Sequence, residues 1–424
     1  MDNRRERVAC LVLAGAIAVV MVTLNAEGCS SDAPSGGLGN GNAGHGAAGT
    51  VGRGGIGGSI SGGGGTAGMA TAGAGGSGGQ AGCRLPTGTP GIWEEIAPPR
   101  GQTNFHVTDS FTLGPNDIYF AGFVGDPITG AGFTESHVLR WTQGCWTAEL
   151  TIPRGTSPID FPSVHGLGPG DVWASAGDAI YHRDAQGWTP FANDGWRALV
   201  RQPPFGGVFQ LHRVRAAGPN DVWVAATRDM LHWNGQAWTA FQFDSPTYPN
   251  ESASIGFFFH TIWIDSPTSV WVGGASDQVG NTMDISFIHH FDGANWTHTG
   301  LPALDQVDAI WRAGSVLWLA NPSIDFTILR FDGTAATGTA ILGSDPNSRP
   351  AMTSLFGRTA TDLWAAGNNV ARFDGQNWSL VAGVPPAAVA ANINDEHNTY
   401  VAGDAASVWL ATPAPRFFRM VVGP

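Results

Sequence analysis

Gly218-Pro219-Asn220-Asp221-Val222-Trp223-Val224-Ala225, followed at once by Met230-Leu231-His232-Trp233-Asn234-Gly235-Gln236-Ala237-Trp238-Thr239, is the stretch on which the fold turns. Gly-Pro-Asn-Asp supplies turn chemistry, and Val-Trp-Val-Ala is a short run of strand formers. Asn-Gly between two apolar runs is a hairpin signal. It predicts a type I′ turn, whose two central residues both need positive φ.

The same plan recurs. Gly114-Pro115-Asn116-Asp117-Ile118-Tyr119 is one copy, and Gly168-Pro169-Gly170-Asp171-Val172-Trp173 with Gly187-Trp188-Thr189 is a second. Later copies read Ser266-Pro267-Thr268-Ser269-Val270-Trp271 with Phe291-Asp292-Gly293-Ala294-Asn295-Trp296, then Leu317-Trp318 with Phe331-Asp332-Gly333. Thr361-Asp362-Leu363-Trp364 with Phe373-Asp374-Gly375-Gln376-Asn377-Trp378 follows, and Asn398-Thr399-Tyr400-Val401 begins a last copy that has no hairpin-Trp of its own.

Aligning Tyr119, Trp173, Trp223, Trp271, Trp318, Trp364 and Tyr400 gives steps of 54, 50, 48, 47, 46 and 36. A period near 45–50 with four short strands per copy predicts an all-β chain, a seven-bladed β-propeller of four-stranded blades. Gly91-Ile92-Trp93-Glu94 resembles a terminal Trp strand without its hairpin. The expectation is that this N-terminal strand completes the last blade and closes the ring, which leaves no exposed sheet edge and favours seven blades over six or eight.

Residues 84–424 are the propeller in this reading, residues 29–83 a linker and residues 1–28 a leader. Gly, Ala, Ser and Thr dominate the linker, which offers too little apolar surface to offset the entropy of ordering and is expected to be disordered. A Gly-rich coil of roughly 50 residues reaches about 40 Å. The leader begins with Arg4, Arg5 and Arg7, continues with an apolar run from Val8 to Leu24 and ends in Ala26-Glu27-Gly28-Cys29. That is the pattern of a secretory signal. It resembles the lipobox of bacterial lipoproteins, which implies lipidation at Cys29 and a place in the cell envelope; cleavage after Ala26, giving a soluble secreted protein, is the alternative. In an oxidising compartment Cys83 and Cys145 are the available pair, and a bridge between them would clasp neighbouring blades.

On these residues the repeat resembles the secreted bacterial propellers with Asn-Asp-Val-Trp and Asp-Gly-x-x-Trp signatures, of the myxobacterial lipoprotein type with Gly-rich stalks. WD40, Kelch and tectonin-like propellers are more distant likenesses. The resemblance covers residues 84–424 and implies a fold, while function stays open between binding proteins and hydrolases. The Asp box of sialidase-like propellers is absent, because Asp292-Gly293 and Asp374-Gly375 are adjacent.

A net charge of −13 and a pI near 5.2 argue against nucleic acid as partner. All 21 basic residues are arginine, so Schiff-base chemistry, P-loops and Ser-Lys dyads are excluded. No zinc-protease, Cys-pair, nucleophile-elbow or calcium-loop motif occurs, and no metal or cofactor is expected. His289 and His290 are neighbours, so they point to opposite faces of a strand.

Repeated residues build the repeat, and a site is expected where the copies disagree. The Asp of each first turn is assigned to an Asx turn accepting backbone N–H groups, and the strand tryptophans to packing. Arg140, His182, His232, His290, Arg330 and Arg372 recur at one position and are read as partners of turn carboxylates or carbonyls. The non-repeated set, one residue from each innermost strand, is Phe111, His165, Arg215, Trp263, Trp311, Phe356 and Asn392, placed by strand alternation toward the axial channel. A second set sits in long connections that share one face: Trp196, Arg197, Arg201, Tyr248 and Phe257. The expected function is a monomeric, non-catalytic binding scaffold for a glycan or protein recognised on the long-loop face, tied to the membrane only by lipid. A propeller hydrolase or lyase and a passive surface spacer are the alternatives.

Overall fold

A computed structural model describes residues 83, 85, 88–99, 102, 105–125, 135–153, 162–201, 210–243, 254–278, 285–304, 306–321, 328–343, 350–386, 399–412 and 416–423. All fall within the compact unit Gly68–Pro424. The leader, Cys29, the Gly-rich linker before Cys83, Tyr248 and Asn392 lie outside the described residues.

The described residues form seven sheets, each built on a four-stranded antiparallel run from an innermost to an outermost strand. Blade 1 is Phe105–Gly114, Asp117–Val124, Glu135–Thr142 and Cys145–Pro153; blade 2 is Ser163–Gly168, Asp171–Ala176, Ala179–Asp184 and Gly187–Pro190. Blade 3 is Leu211–Gly218, Asp221–Ala226, Asp229–Trp233 and Trp238–Gln242; blade 4 is Ser254–Ser266, Ser269–Gln278, Ile285–Phe291 and Trp296–Leu304. Blade 5 is Ala309–Ala313, Val316–Ala320, Ile328–Phe331 and Ala336–Gly338; blade 6 is Met352–Thr359, Asp362–Gly367, Val370–Phe373 and Trp378–Leu380. Blade 7 is Tyr400–Gly403, Ser407–Ala411 and Phe417–Val421, completed by Trp93–Ile96. Innermost strands touch in cyclic order, and the last meets the first, so the architecture is a closed seven-bladed propeller.

The core is divided into seven clusters, one between each pair of adjacent blades. A sheet packed on both faces needs apolar side chains on both, which is why Asp-Val-Trp-Val-Ala does not alternate with polar residues: in blade 3 only Asp221 of that run is partly exposed. Trp173, Trp223, Trp364 and Trp409 are all at most 2% exposed and fill these interfaces. Closure follows the expected route. Trp93 pairs with Met420 and Ile96 with Phe417, while the Trp93 ring meets Trp364 edge-on at 6.3 Å. Cys83 and Cys145 are joined in a disulfide with Cα atoms 5.0 Å apart, tying the segment before the closing strand to the outer strand of blade 1.

Three sequence expectations are corrected. Tyr400 belongs to the innermost strand of blade 7, and the residue equivalent to Trp364 is Trp409, which pairs with Ala402. The turn between them is Asp404-Ala405-Ala406-Ser407, whose Asp404 carboxylate accepts the N–H groups of Ala406 and Ser407; without Gly-Pro-Asn it was unrecognisable beside Asn398-Thr399. The step from Trp364 is then 45, in line with the others. Second, the Asn-Gly and Asp-Gly hairpins of blades 3 to 6 carry a single positive φ, at Gly235, Gly293, Gly333 and Gly375, because the preceding Asn or Asp uses its side chain to accept two backbone N–H groups and keeps negative φ; the blade 1 hairpin has two, at Gln143 and Gly144. Third, blade 6 gains a fifth strand, Ile341–Leu342, parallel to its edge.

Candidate functional site

Strand register places the non-repeated residues on one level of the axial channel. Phe111, His165, Arg215, Trp263, Trp311 and Phe356 each pair directly with the large aromatic of the second strand, Tyr119, Trp173, Trp223, Trp271, Trp318 and Trp364 respectively. The seventh member is Ala402, since Asn392 belongs to no described strand. The rings lean onto the following blade, and glycine makes room for them. A Cβ at Gly357 would lie 2.1 Å from Trp311 Nε1, one at Gly403 2.6 Å from Phe356 Cε1, and one at Gly166 3.0 Å from Phe111 Cε1. Trp263 and Trp311 sit 4.9 Å apart and Trp311 and Phe356 5.7 Å, forming an aromatic arc over blades 4 to 6.

Two residues earlier in each strand stands a second level: Asp109, Ser163, Arg213, Thr261, Ala309, Ser354 and Tyr400. Here a side-chain oxygen ties one blade to the next. Asp109 accepts from Val164 N at 3.1 Å, Ser163 Oγ from Val214 N at 3.0 Å and Ser354 Oγ from Val401 N at 3.0 Å. Asp109 is fully buried and also receives two hydrogen bonds from the Arg215 guanidinium, together with Ser163 Oγ, Ser110 N and Tyr400 OH. Burial alone would raise its pKa; the charges of Arg215 and Arg213 and these hydrogen bonds bring it down to about 2. Burial, reinforced by Arg215, lowers His165 to about 3, and its Nδ1 accepts Ala216 N–H at 3.1 Å. Burial and the Asp109 charge raise Tyr400 to about 12.

The first level, with Arg213, Thr261, Ala309 and Tyr400 from the second, lines a cavity of ≈ 600 Å³ to which all seven innermost strands contribute. Its walls run from Arg213, Thr261, Thr353 and Tyr400 up to Ala217, Pro267 and Gly403. Those upper residues lead into the short turns between first and second strands. The cavity is therefore displaced toward the short-turn face, away from the long connections on which recognition was expected. At the rim Asp265 is fully engaged, accepting from Trp263 Nε1, Trp271 Nε1, Ser269 Oγ and Arg312. Arg213 differs: its one hydrogen bond goes to the neighbouring His212 carbonyl, and no carboxylate among the described residues pairs with it.

Alternation in the sequence identified the first level but not Asp109, Arg213 and Tyr400, although the same period of two, applied once more, leads to them. Of the long-connection set, Trp196 is 2% exposed in the 3-10 turn Gly195–Ala198 and packs between blades 2 and 3. Arg201 clamps buried Asp229 through Nη2–Oδ1 at 2.7 Å and Nε–Oδ1 at 2.8 Å. Neither reaches the axial cavity.

The repeated Asp and basic residues form a structural unit. In blade 3, Asp221 Oδ1 accepts from Trp223 Nε1 at 3.0 Å and contacts His232 Nε2 at 2.9 Å, while the His232 ring stacks on Trp223 at 4.0 Å. Blade 2 repeats this with Asp171, Trp173 and His182, and blade 6 with Asp362, Trp364 and Arg372. These turn carboxylates thus serve side chains, where the sequence had assigned them backbone N–H groups. Arg419 is the seventh basic residue, placed over Trp409 at 5.9 Å.

No family model and no curated protein matches the chain. Solved structures do. A catalytically inactive variant of virginiamycin B lyase from Staphylococcus aureus, with quinupristin, is 12% identical with a TM-score of 0.53, covering 78% of this chain and 99% of that one. YCF48 from Cyanidioschyzon merolae is 13% identical with a TM-score of 0.49, covering 78% and 98%. The Cps50 (Swd1) β-propeller domain from Myceliophteria thermophila is 10% identical with a TM-score of 0.45, covering 78% and 100%. At such identities the likeness is one of fold, and the chain is a β-propeller.

Proposed function

We propose that this protein is a cell-envelope binding scaffold, held to a membrane by lipid at Cys29 on a Gly-rich stalk, whose propeller takes a ligand in its axial cavity. The observation that carries the reading is convergence: six positions at which the copies disagree meet in one cavity, whereas the repeated polar residues are spent on each other. Divergent side chains on a rigid repeat are what specific recognition requires. The ionisable groups around Asp109 support binding over proton transfer, since Asp109 near 2, His165 near 3 and Tyr400 near 12 all titrate far from neutral pH. The aromatic arc suits a ligand with flat faces, which a glycan presents. A glycan array and an envelope pull-down with the purified protein test the proposal. It expects specific hits that Trp311→Ala removes; blank results with and without calcium contradict it, and substrate turnover abolished by Asp308→Asn, at a carboxylate of the cavity lining in blade 5, would replace binding with catalysis.

A further inference from the structure

We infer that the ligand of the axial cavity is a saccharide carrying a carboxylate, which Arg213 anchors while the sugar face lies on Trp263 and Trp311. This rests on the reading of the cavity as a binding site and adds the ligand's class.

Arg213 is the one cation of the second level, in which Ala309 likewise has no side-chain oxygen to offer. Asp109, Ser163 and Ser354 each present an oxygen that accepts the next blade's N–H. Blade 3 puts a cation in that place, and a guanidinium has no acceptor to offer. Its positive charge reaches Asp109, Tyr400, His212 and His260, so it lies in the midst of the channel rather than in bulk water. The other arginine lining the cavity, Arg215, is committed to Asp109, and Arg312, next to the lining residue Trp311, is committed to Asp265. Arg213, which lines the cavity, spends one hydrogen bond on a carbonyl and leaves the rest of its donor fork for a planar oxyanion.

The surrounding surface selects a sugar over an acidic peptide. Blade 4, which follows Arg213, carries Trp263, and Trp311 continues the wall at 4.9 Å. Ser110, Thr261, Ser266 and Thr353 add hydroxyl-bearing side chains to the lining. Indole faces meet the C–H faces of a pyranose, and hydroxyls exchange hydrogen bonds with hydroxyls. The volume of ≈ 600 Å³ lies within the range of small-ligand pockets and admits a short oligosaccharide end.

The test is calorimetric titration of the full chain with a trigalacturonate, the matching neutral trigalactoside and a hexaglutamate peptide, using wild type, Arg213→Ala, Arg213→Lys and Trp311→Ala. The uronate is expected to bind wild type at least roughly tenfold tighter than the neutral sugar. Arg213→Ala should erase that difference, Arg213→Lys should restore part of it, and Trp311→Ala should weaken both sugars. Equal affinity of Arg213→Ala and wild type for the uronate, with Trp311→Ala still weakened, overturns the anionic anchor and leaves the cavity reading standing. Peptide binding with both sugars silent overturns the saccharide class. Sugar binding that neither substitution changes overturns the cavity reading itself.

Discussion

Arg215 of blade 3 reaches past blade 2 to hold Asp109 of blade 1, Nη1 to Oδ2 at 2.8 Å and Nη2 to Oδ1 at 3.0 Å. The pair locks three blades at the axis, and Tyr400 brings in blade 7 at 3.2 Å. A buried pair is weak evidence of net stabilisation, but breaking it on one side strands a charge. Asp109→Asn should therefore destabilise the protein by about 3–5 kcal/mol in urea unfolding, and Asp109→Leu with Arg215→Met should recover most of the loss. A single substitution costing under about 1 kcal/mol would show that the clamp is not structural.

Acid should unfold the propeller through its histidines. Burial, the largest cause in each, lowers His165, His212 and His289 to about 3 and His260 to about 4. In the unfolded chain these groups titrate near 6.5, so the unfolded state binds protons that the folded state refuses. The stability they contribute is complete above pH 6.5 and is lost as pH falls from there toward 3–4. Asp109 acts in the same direction at lower pH, between 3.8 and about 2. Calorimetry from pH 7.5 to 4.5 should show a falling Tm, with uptake of upward of about four protons on unfolding near pH 5. A flat Tm over that range would contradict it.

The Cys83–Cys145 bridge closes a loop with a sequence separation of 62 at the point where the ring is sealed by Trp93–Ile96. The chain-entropy model assigns such a loop about 4 kcal/mol. Cys83→Ala with Cys145→Ala should lower the urea midpoint accordingly and make it indifferent to reductant, whereas wild type should shift toward it on reduction.

Lipid anchoring has a direct readout. Cys29→Ala should move the protein from the membrane to the soluble fraction of the envelope; unchanged partitioning would remove the anchor and leave the secreted alternative.

The sequence made most of the blades legible because a buried two-faced sheet repeats its tryptophan, turn and hairpin at one period. Blade 7 was misaligned at Tyr400 because Asp404 builds its turn without Gly-Pro-Asn, so the true marker, Trp409, had no flanking signal. Alternation along single strands placed Phe111, Trp263 and Trp311 on the channel correctly. What one strand cannot show is a partner on another: Arg215 looked like a ligand residue until Asp109, 106 positions away, claimed its guanidinium. Trp196 failed in the same way, since an aromatic in a connection reads alike whether it faces solvent or, as here, a blade interface. Arg213 has no mark of its own in the sequence, because what sets it apart, a channel-lining guanidinium that no carboxylate of a neighbouring strand pairs with among the described residues, exists only once the strands are assembled.

Central to the account is that ligand enters the axial cavity, and titration of a glycan-array hit against two reshaped cavities tests it most directly. Trp311→Ala removes part of the wall, and Ala402→Phe fills the one position of the upper level that carries no large side chain. With near-UV circular dichroism matching wild type in both, the prediction is that each lowers affinity by roughly tenfold or more. Wild-type affinity in both folded variants would place the ligand elsewhere on the propeller.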